Sequence, residues 1–170
     1  MKIYTDKNVF DAAVERFDTV LDEFDNYYVS VSGGKDSSIM LQLFAQRARL
    51  KGKKFSVLYI DLEAQYKATI DHVHELIECT SDVVEAWYWV AMPLSLRNAV
   101  SALQPKWICW DKKDQKKWVR DWPNPDPEPN VVLCMEDNHP KAWDEWFFRG
   151  QEFEEFILYF AKWINEEQGG

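Results

Sequence analysis

Cysteine is sparse and scattered. The 170 residues hold three, Cys79, Cys109 and Cys134, with no C-x-x-C pair. Neither a zinc site nor a cysteine-held iron–sulfur cluster is suggested, and an odd count without secretion speaks against a disulfide framework. Long apolar runs are also missing. None approaches the roughly 18–20 residues that span a bilayer, and the opening MKIYTDKNVFDAAVERF has no apolar signal core. The expectation is a soluble, cytoplasmic protein without membrane contact. Basic charge is scarce towards the end: residues 121–170 carry 3 Lys+Arg against 12 Asp+Glu, and residues 1–120 carry 17 against 17, so 3 − 12 accounts for the whole net charge of −9. General nucleic-acid affinity is disfavoured in that acidic third. There is no H-E-x-x-H; His72 and His74 are two residues apart, point to different faces of a helix and read as surface or packing histidines. Neither G-x-x-x-x-G-K-[ST] nor G-x-G-x-x-G occurs.

What is present centres on residues 27–38, YYVSVSGGKDSS. A short β-rich run leads into Ser32-Gly33-Gly34-Lys35-Asp36-Ser37, after which the apolar positions take helical spacing. A strand, a tight glycine turn and a helix start present backbone N–H groups and a positive dipole end together, an anion site that suits phosphate. Adjacent glycines let the backbone approach an anion without an intervening Cβ. Ser32, Ser37 and Ser38 add hydroxyl donors and Lys35 a positive charge. Asp36 adds a carboxylate able to hold Mg²⁺ against phosphate oxygens.

The rest of the chain reads as one α/β domain. At 46% hydrophobic it has enough apolar residues for a core of ordinary size. Residues 8–24 have the 3–4 spacing of an amphipathic helix, capped by Thr5 or Asp6. A second helix over residues 37–50 turns Ile39, Met40, Leu43 and Phe44 inward and stops at Gly52. Residues 55–60 (FSVLYI) make a second strand, and the resulting βαβ unit predicts a mostly parallel sheet. Ligands in such sheets sit beyond the carboxyl ends of the strands. There Asp61 is a candidate for a ribose or adenine contact and Glu63 for a metal ligand or base; either acid also suits a helix start. A helix over residues 65–79, a strand over 83–90 and a connection over 95–101 follow. Arg97 in that connection is a candidate for phosphate contact, and Asn98 and Ser101 for orienting a substrate.

Residues 106–120 (KWICWDKKDQKKWVR) interleave six basic residues with Trp107, Trp110 and Trp118. Aromatic faces among cations suit base stacking and phosphate contact by a nucleotide or nucleic acid; equally, the tryptophans anchor an irregular insertion, about residues 104–130, onto the core. Residues 121–130 (DWPNPDPEPN) contain four prolines and read as an extended loop. A short fourth strand over residues 131–135 and a closing helix over 153–164 complete the pattern.

SGGKDS after a strand resembles the PP-loop of the ATP pyrophosphatase superfamily. SVSGGKDSSIML (residues 30–41), YIDLEAQYKATIDHV (59–73), YWVAMPLSLRNAVSALQPKWICWD (88–111), KWVRDWP (117–123) and FFRGQEFEEFI (147–157) resemble phosphoadenosine-phosphosulfate reductase-like proteins of the immunoglobulin-binding regulator A type. That resemblance implies a layered α/β/α, adenine nucleotide α-hydrolase-like fold binding ATP or PAPS with Mg²⁺. Phosphate binding falls to Ser32, Gly33, Gly34, Asp36 and Ser37, with Ser38 beside them, and the nucleoside contact to Asp61. Lys35, Asp36 and Arg97 become the catalytic candidates, and Asp36 the Mg²⁺ ligand. Glu63, Asn98, Ser101, Trp107, Trp110 and Arg120 are the substrate-side candidates. Two features of related proteins are missing: the C-terminal Glu-Cys-Gly nucleophile of true sulfonucleotide reductases, and the clustered cysteines of DNA-phosphorothioation relatives. Proteins of the regulator group are often much longer and are associated with a ParB/sulfiredoxin-like partner, with phage or defence connections. Three functions are therefore expected in contention: adenylylation of an acceptor by ATP, sulfonucleotide reduction with a thiol supplied in trans, and nucleotide-dependent regulation of a partner.

Overall fold

A computed structural model describes residues 6–98, 101–123, 128 and 130–168. The element order is α1 (Val9–Glu23), β1 (Tyr28–Val31), α2 (Lys35–Lys51), β2 (Phe55–Ile60), α3 (Lys67–Thr80), β3 (Val84–Ala91), β4 (Ser95–Arg97), β5 (Lys106–Ile108), β6 (Val131–Met135) and α4 (Phe153–Gln168). Short 3-10 segments lie at Lys112–Lys117, kinked at Asp114, and at Lys141–Glu145.

Four strands form a parallel sheet in the order β1-β2-β3-β6. The expected α/β class and parallel pairing are present. Strands are added in one direction only, so right-handed crossovers bring successive helices to the same face. Leu21 of α1, Leu41 and Phe44 of α2, and Val73 and Leu76 of α3 accordingly share one core with Val57, Tyr59, Trp87 and Trp89 of the sheet. The opposite face, through Leu58 and Val90, packs on Phe156, Phe160 and Trp163 of α4 and on Trp110, Cys109 and Trp143. The sheet is thus covered on both sides, and β2 is buried along nearly its whole length, as its β-rich apolar run requires.

Several boundaries differ from the sequence expectation. Asn8, not Asp6, caps α1 by accepting from Asp11 N–H; Thr5 lies outside the described residues. Helix α2 starts two residues earlier than expected and turns Ser38, Leu41, Phe44, Ala45 and Ala48 inward. Ile39 and Met40 are exposed, because the helix registers on its small Ser/Ala stripe, which permits close approach to the sheet and α3. Gly52 takes the left-handed C-cap conformation as expected. The insertion is less irregular than read: β4 and β5 pair antiparallel as a separate hairpin. Half of the proline-rich stretch, Asn124, Pro125, Asp126, Pro127 and Pro129, lies outside the described residues, as do Ala99 and Val100. No helix among the described residues is long and apolar enough to cross a membrane.

Candidate functional site

The loop after β1 is built by three residues. Gly33 has φ +74°, and a Cβ there would lie 2.8 Å from Thr69 Cγ2 and 3.0 Å from Val73 Cγ2 on α3. The positive φ and the close approach each demand glycine. Gly34 is the N-cap of α2 and offers no side-chain cap. The first intrahelical bond runs from Ser38 N–H to the Gly34 carbonyl at 3.0 Å. Helix geometry therefore leaves the N–H groups of residues 35–37 without an intrahelical acceptor, at the positive end of a 17-residue helix. Lys35 and Asp36 stand exposed beside them, Nζ to carboxylate 3.5 Å. Ser32 N–H donates to Ser37 Oγ at 3.2 Å, and the two hydroxyls meet at 3.1 Å. Ser37 and Ser38 both direct hydroxyls at the Gly34 carbonyl, 3.0 and 2.8 Å away. Every loop residue singled out from the sequence is brought together here.

Beside the loop lies a cleft of about 200 Å³ between the two layers. Val31, Ser32 and Ser37 form one side, Ile60, Leu62 and Gln65 another, and Phe153 and Ile157 of α4 the third. A one-directional strand order has no reversal point to open a crevice; the gap arises because the loop leaves towards α2 while α4 covers the other face. Its walls are mostly apolar, as a nucleobase site requires. Sequence reasoning missed Ile60, Leu62, Gln65, Phe153 and Ile157. The apolar four have the spacing of ordinary core residues, Gln65 reads as a helix-start residue, and α4 lies more than a hundred residues from the loop.

The carboxylates after β2 are engaged by the protein itself. Asp61 is fully buried. Its carboxylate accepts from Trp89 Nε1 at 2.8 Å and Glu63 N–H at 2.9 Å, and pairs with Arg120. Glu63 has φ +64°, and its carboxylate accepts from Trp110 N–H at 3.2 Å and Val119 N–H at 3.0 Å. Arg120 Nε donates to the Glu63 carbonyl at 2.9 Å, and its guanidinium lies 4.8 Å over the Trp110 ring. Trp110 is buried and donates Nε1–H to the Asp61 carbonyl at 2.8 Å. Asp61, Glu63, Trp110 and Arg120, read as nucleoside and substrate contacts, thus lock the β2 loop to the insertion. Their polar groups are engaged because burying them unpaired would be costly.

The insertion's other aromatics turn on one another. Trp118 meets Trp110 edge-on at 5.2 Å and stacks on Trp122 at 5.3 Å. Lys112 pairs with Asp137 and Lys117 with Asp114. This arrangement is the anchoring role of these tryptophans rather than an open stacking platform. Arg97 is exposed on the β4–β5 hairpin, 3.8 Å from Glu152, and no contact among the described residues joins it to the loop. Ser101 Oγ accepts from Gln104 N–H at 3.1 Å within a turn. Asn98 and Trp107 do come together, on a cleft of about 470 Å³ shared with Glu63, Lys117, Asp111 and Arg149.

Within that cleft Asp111 is nearly buried, and its hydrogen bond to Arg149 holds its carboxyl below the usual carboxylate range near 3.8. A depressed folded-state pKa contributes stability that is complete above the unfolded value and is lost as pH falls through the folded one. The stability gap between wild type and Asp111→Asn should therefore be full at neutral pH, begin to narrow below about pH 4 and go on narrowing as pH falls through the folded value, read by urea unfolding at a series of pH values. A gap that persists unchanged at pH 2–3 would exclude this pair as its source.

The cysteines carry no nucleophile signal. Burial pushes the Cys109 thiol up to about 12 and also raises Cys134, which keeps both as thiols at neutral pH. Cys109 packs with its Sγ against the Met92 and Leu94 carbonyls. Among the described residues no group of three or more His, Cys, Asp or Glu is placed to hold a metal. Asp36 is an exposed single carboxylate beside the loop, a donor set that could bind Mg²⁺ only as an ion shared with phosphate oxygens.

No family model matches the chain, and no solved structure matches it. A curated relative, an uncharacterized Escherichia coli (strain K12) protein named YbdN, is 39% identical over 167 residues. The match covers 98% of this chain, which spans 38% of the relative's length.

Proposed function

We propose that this chain is an adenine-nucleotide-binding PP-loop protein, its sheet and loop a version of the adenine nucleotide α-hydrolase-like arrangement. In this reading it cleaves ATP to AMP and pyrophosphate to adenylylate an acceptor. The observation that carries the reading is the phosphate-shaped loop: a glycine turn pressed on α3, unengaged first-turn N–H groups and Lys35, with an apolar cleft alongside. The acceptor's nucleophilic atom bonds to the α-phosphorus as the bond to the bridging oxygen breaks, and pyrophosphate leaves. The N–H groups and Lys35 would neutralise the charge growing on pyrophosphate. Asp36 would hold Mg²⁺ together with the phosphates, and the ion would supply further charge stabilisation. Arg120 is committed to Asp61, so Lys35 is the favoured source of side-chain positive charge. Ile60, Leu62 and Phe153 would take the base, and the Asn98–Trp107 cleft the acceptor.

The test is incubation of the full chain with ATP, Mg²⁺ and candidate acceptors, followed by mass analysis of the nucleotides. AMP and pyrophosphate are expected. Adenosine bisphosphate and sulfite formed from PAPS with an added thiol would overturn the reading in favour of reduction. Bound nucleotide without product for any acceptor would overturn it in favour of a regulator. Asp36→Asn should lower pyrophosphate release by about 100-fold or more with an unchanged melting temperature, since the side chain is exposed.

A further inference from the structure

Behind the phosphate loop stands a side chain that the proposed chemistry does not use. His72, on α3, places Nε2 3.0 Å from Ser38 Oγ and Nδ1 3.1 Å from a Glu75 carboxylate oxygen. Ser38 is buried, and its hydroxyl also lies 2.8 Å from the Gly34 carbonyl. That carbonyl has two lone pairs but three donors aimed at it: Ser38 N–H, the Ser37 hydroxyl and the Ser38 hydroxyl. The Ser38 hydroxyl has one proton and two places to send it.

Counting protons resolves the choice. Glu75 as a carboxylate only accepts, so Nδ1 must carry a proton to bond it. With His72 neutral, Nε2 is then an acceptor, takes the Ser38 proton, and leaves the Gly34 carbonyl to Ser38 N–H and Ser37. With His72 as imidazolium, both ring nitrogens donate. Ser38 must then accept from Nε2 and send its own proton to the Gly34 carbonyl, displacing the Ser37 hydroxyl, which is left to donate to Ser32 Oγ or to a bound phosphate.

We propose that His72 is a positioning residue of the phosphate loop, whose protonation redirects the Ser38 hydroxyl and frees Ser37 for a pyrophosphate-bearing ligand, so that the proton and the ligand bind with mutual reinforcement. This rests on the phosphate-binding reading of the loop and adds to it a residue from the next helix. The added positive charge acts in the same direction. The other charged groups on the elements around it are Lys35 and Asp36 on the first turn of α2, Arg47 and Lys51 further along that helix, and the Lys67–Asp71 and His74–Glu128 pairs of α3. Glu78 and the Arg49–Asp82 pair lie further along. Among the described residues the imidazole's hydrogen-bond partners are Ser38 and Glu75, which leaves those two in control of it. The same α3 face presses Thr69 and Val73 on Gly33, so the helix both shapes and tunes the loop.

The test measures inorganic pyrophosphate binding by calorimetry at about pH 8 and about pH 5.5, the span over which imidazoles ordinarily change charge, for wild type and His72→Gln. The ratio of the two affinities removes the ligand's own protonation. It should grow by about fivefold or more towards low pH, and by reciprocity pyrophosphate should move the His72 imidazole NMR titration to higher pH in wild type. In the ligand-free protein, Ser38→Ala should alter that titration as well. Pyrophosphate binding with a ratio that stays flat overturns the inference while leaving the binding reading intact. So does a His72 titration indifferent to Ser38→Ala. Absence of pyrophosphate and nucleotide binding at every pH in both proteins overturns the binding reading itself, and the coupling with it.

Discussion

Replacing Arg120 with methionine should destabilise the protein by about 3–5 kcal/mol, because it leaves a buried carboxylate without its counter-charge. Asp61 is fully buried, and Arg120 is the cation that pairs with it. Methionine keeps much of the volume and the apolar contact on Trp110 but not the charge or the donors to Asp61 and the Glu63 carbonyl. For a domain of this size the melting temperature should drop by roughly 10 °C. The double variant Asp61→Asn/Arg120→Met should recover part of the loss, since a neutral amide can still accept from Trp89 or Glu63 N–H without an unpaired charge. An Arg120→Met protein that melts with the wild type but has lost nucleotide turnover would instead return Arg120 to the substrate-side role that the sequence reading gave it.

Gly33→Ala should cost about 2–5 kcal/mol. A left-handed backbone costs a side-chain-bearing residue roughly 1–2 kcal/mol, and the new methyl would collide with Thr69 and Val73 at 2.8 and 3.0 Å, an overpacking of about 1–3 kcal/mol. Gly34→Ala is the control within the same dipeptide. Its φ is −83° and the added Cβ would meet only Ser32 Oγ at 3.4 Å, so the loss should stay within about 1 kcal/mol. Denaturant unfolding of the two variants reads the difference directly. Equal stabilities would mean that α3 does not press on the loop. Gly33→Ala/Val73→Ala should regain part of the deficit if the clash with Val73 contributes to it.

What the chain's order of residues determined was local. The YYVSVSGGKDSS stretch contains its own strand, turn and helix start, because backbone propensity, glycine placement and apolar spacing act within a dozen residues. FSVLYI has no way to be other than a buried strand, and the parallel pairing follows from a helix standing between two such strands. The Gly52 stop is local in the same way. These are features whose energetics are settled between neighbours in sequence.

What only the tertiary structure decided concerns polar side chains whose partners are distant. Asp61 and Glu63 sit at the carboxyl end of β2, where either a ligand or the protein can claim a carboxylate. The claimants, Trp110, Val119 and Arg120, lie 47 to 57 residues downstream of Glu63, and no local spacing announces them. The tryptophans among the lysines had two compatible readings until the fold turned Trp110, Trp118 and Trp122 against one another. Ile39 and Met40 fitted the helical spacing as well as Ala45 and Ala48 did, and packing against the sheet and α3 selected the smaller stripe. His72 looked like a surface histidine because Ser38, 34 residues away, becomes its neighbour only when α3 folds down behind the loop. Backbone conformation is decided over a few residues; the fate of a buried charge or proton is decided by whatever the fold brings beside it.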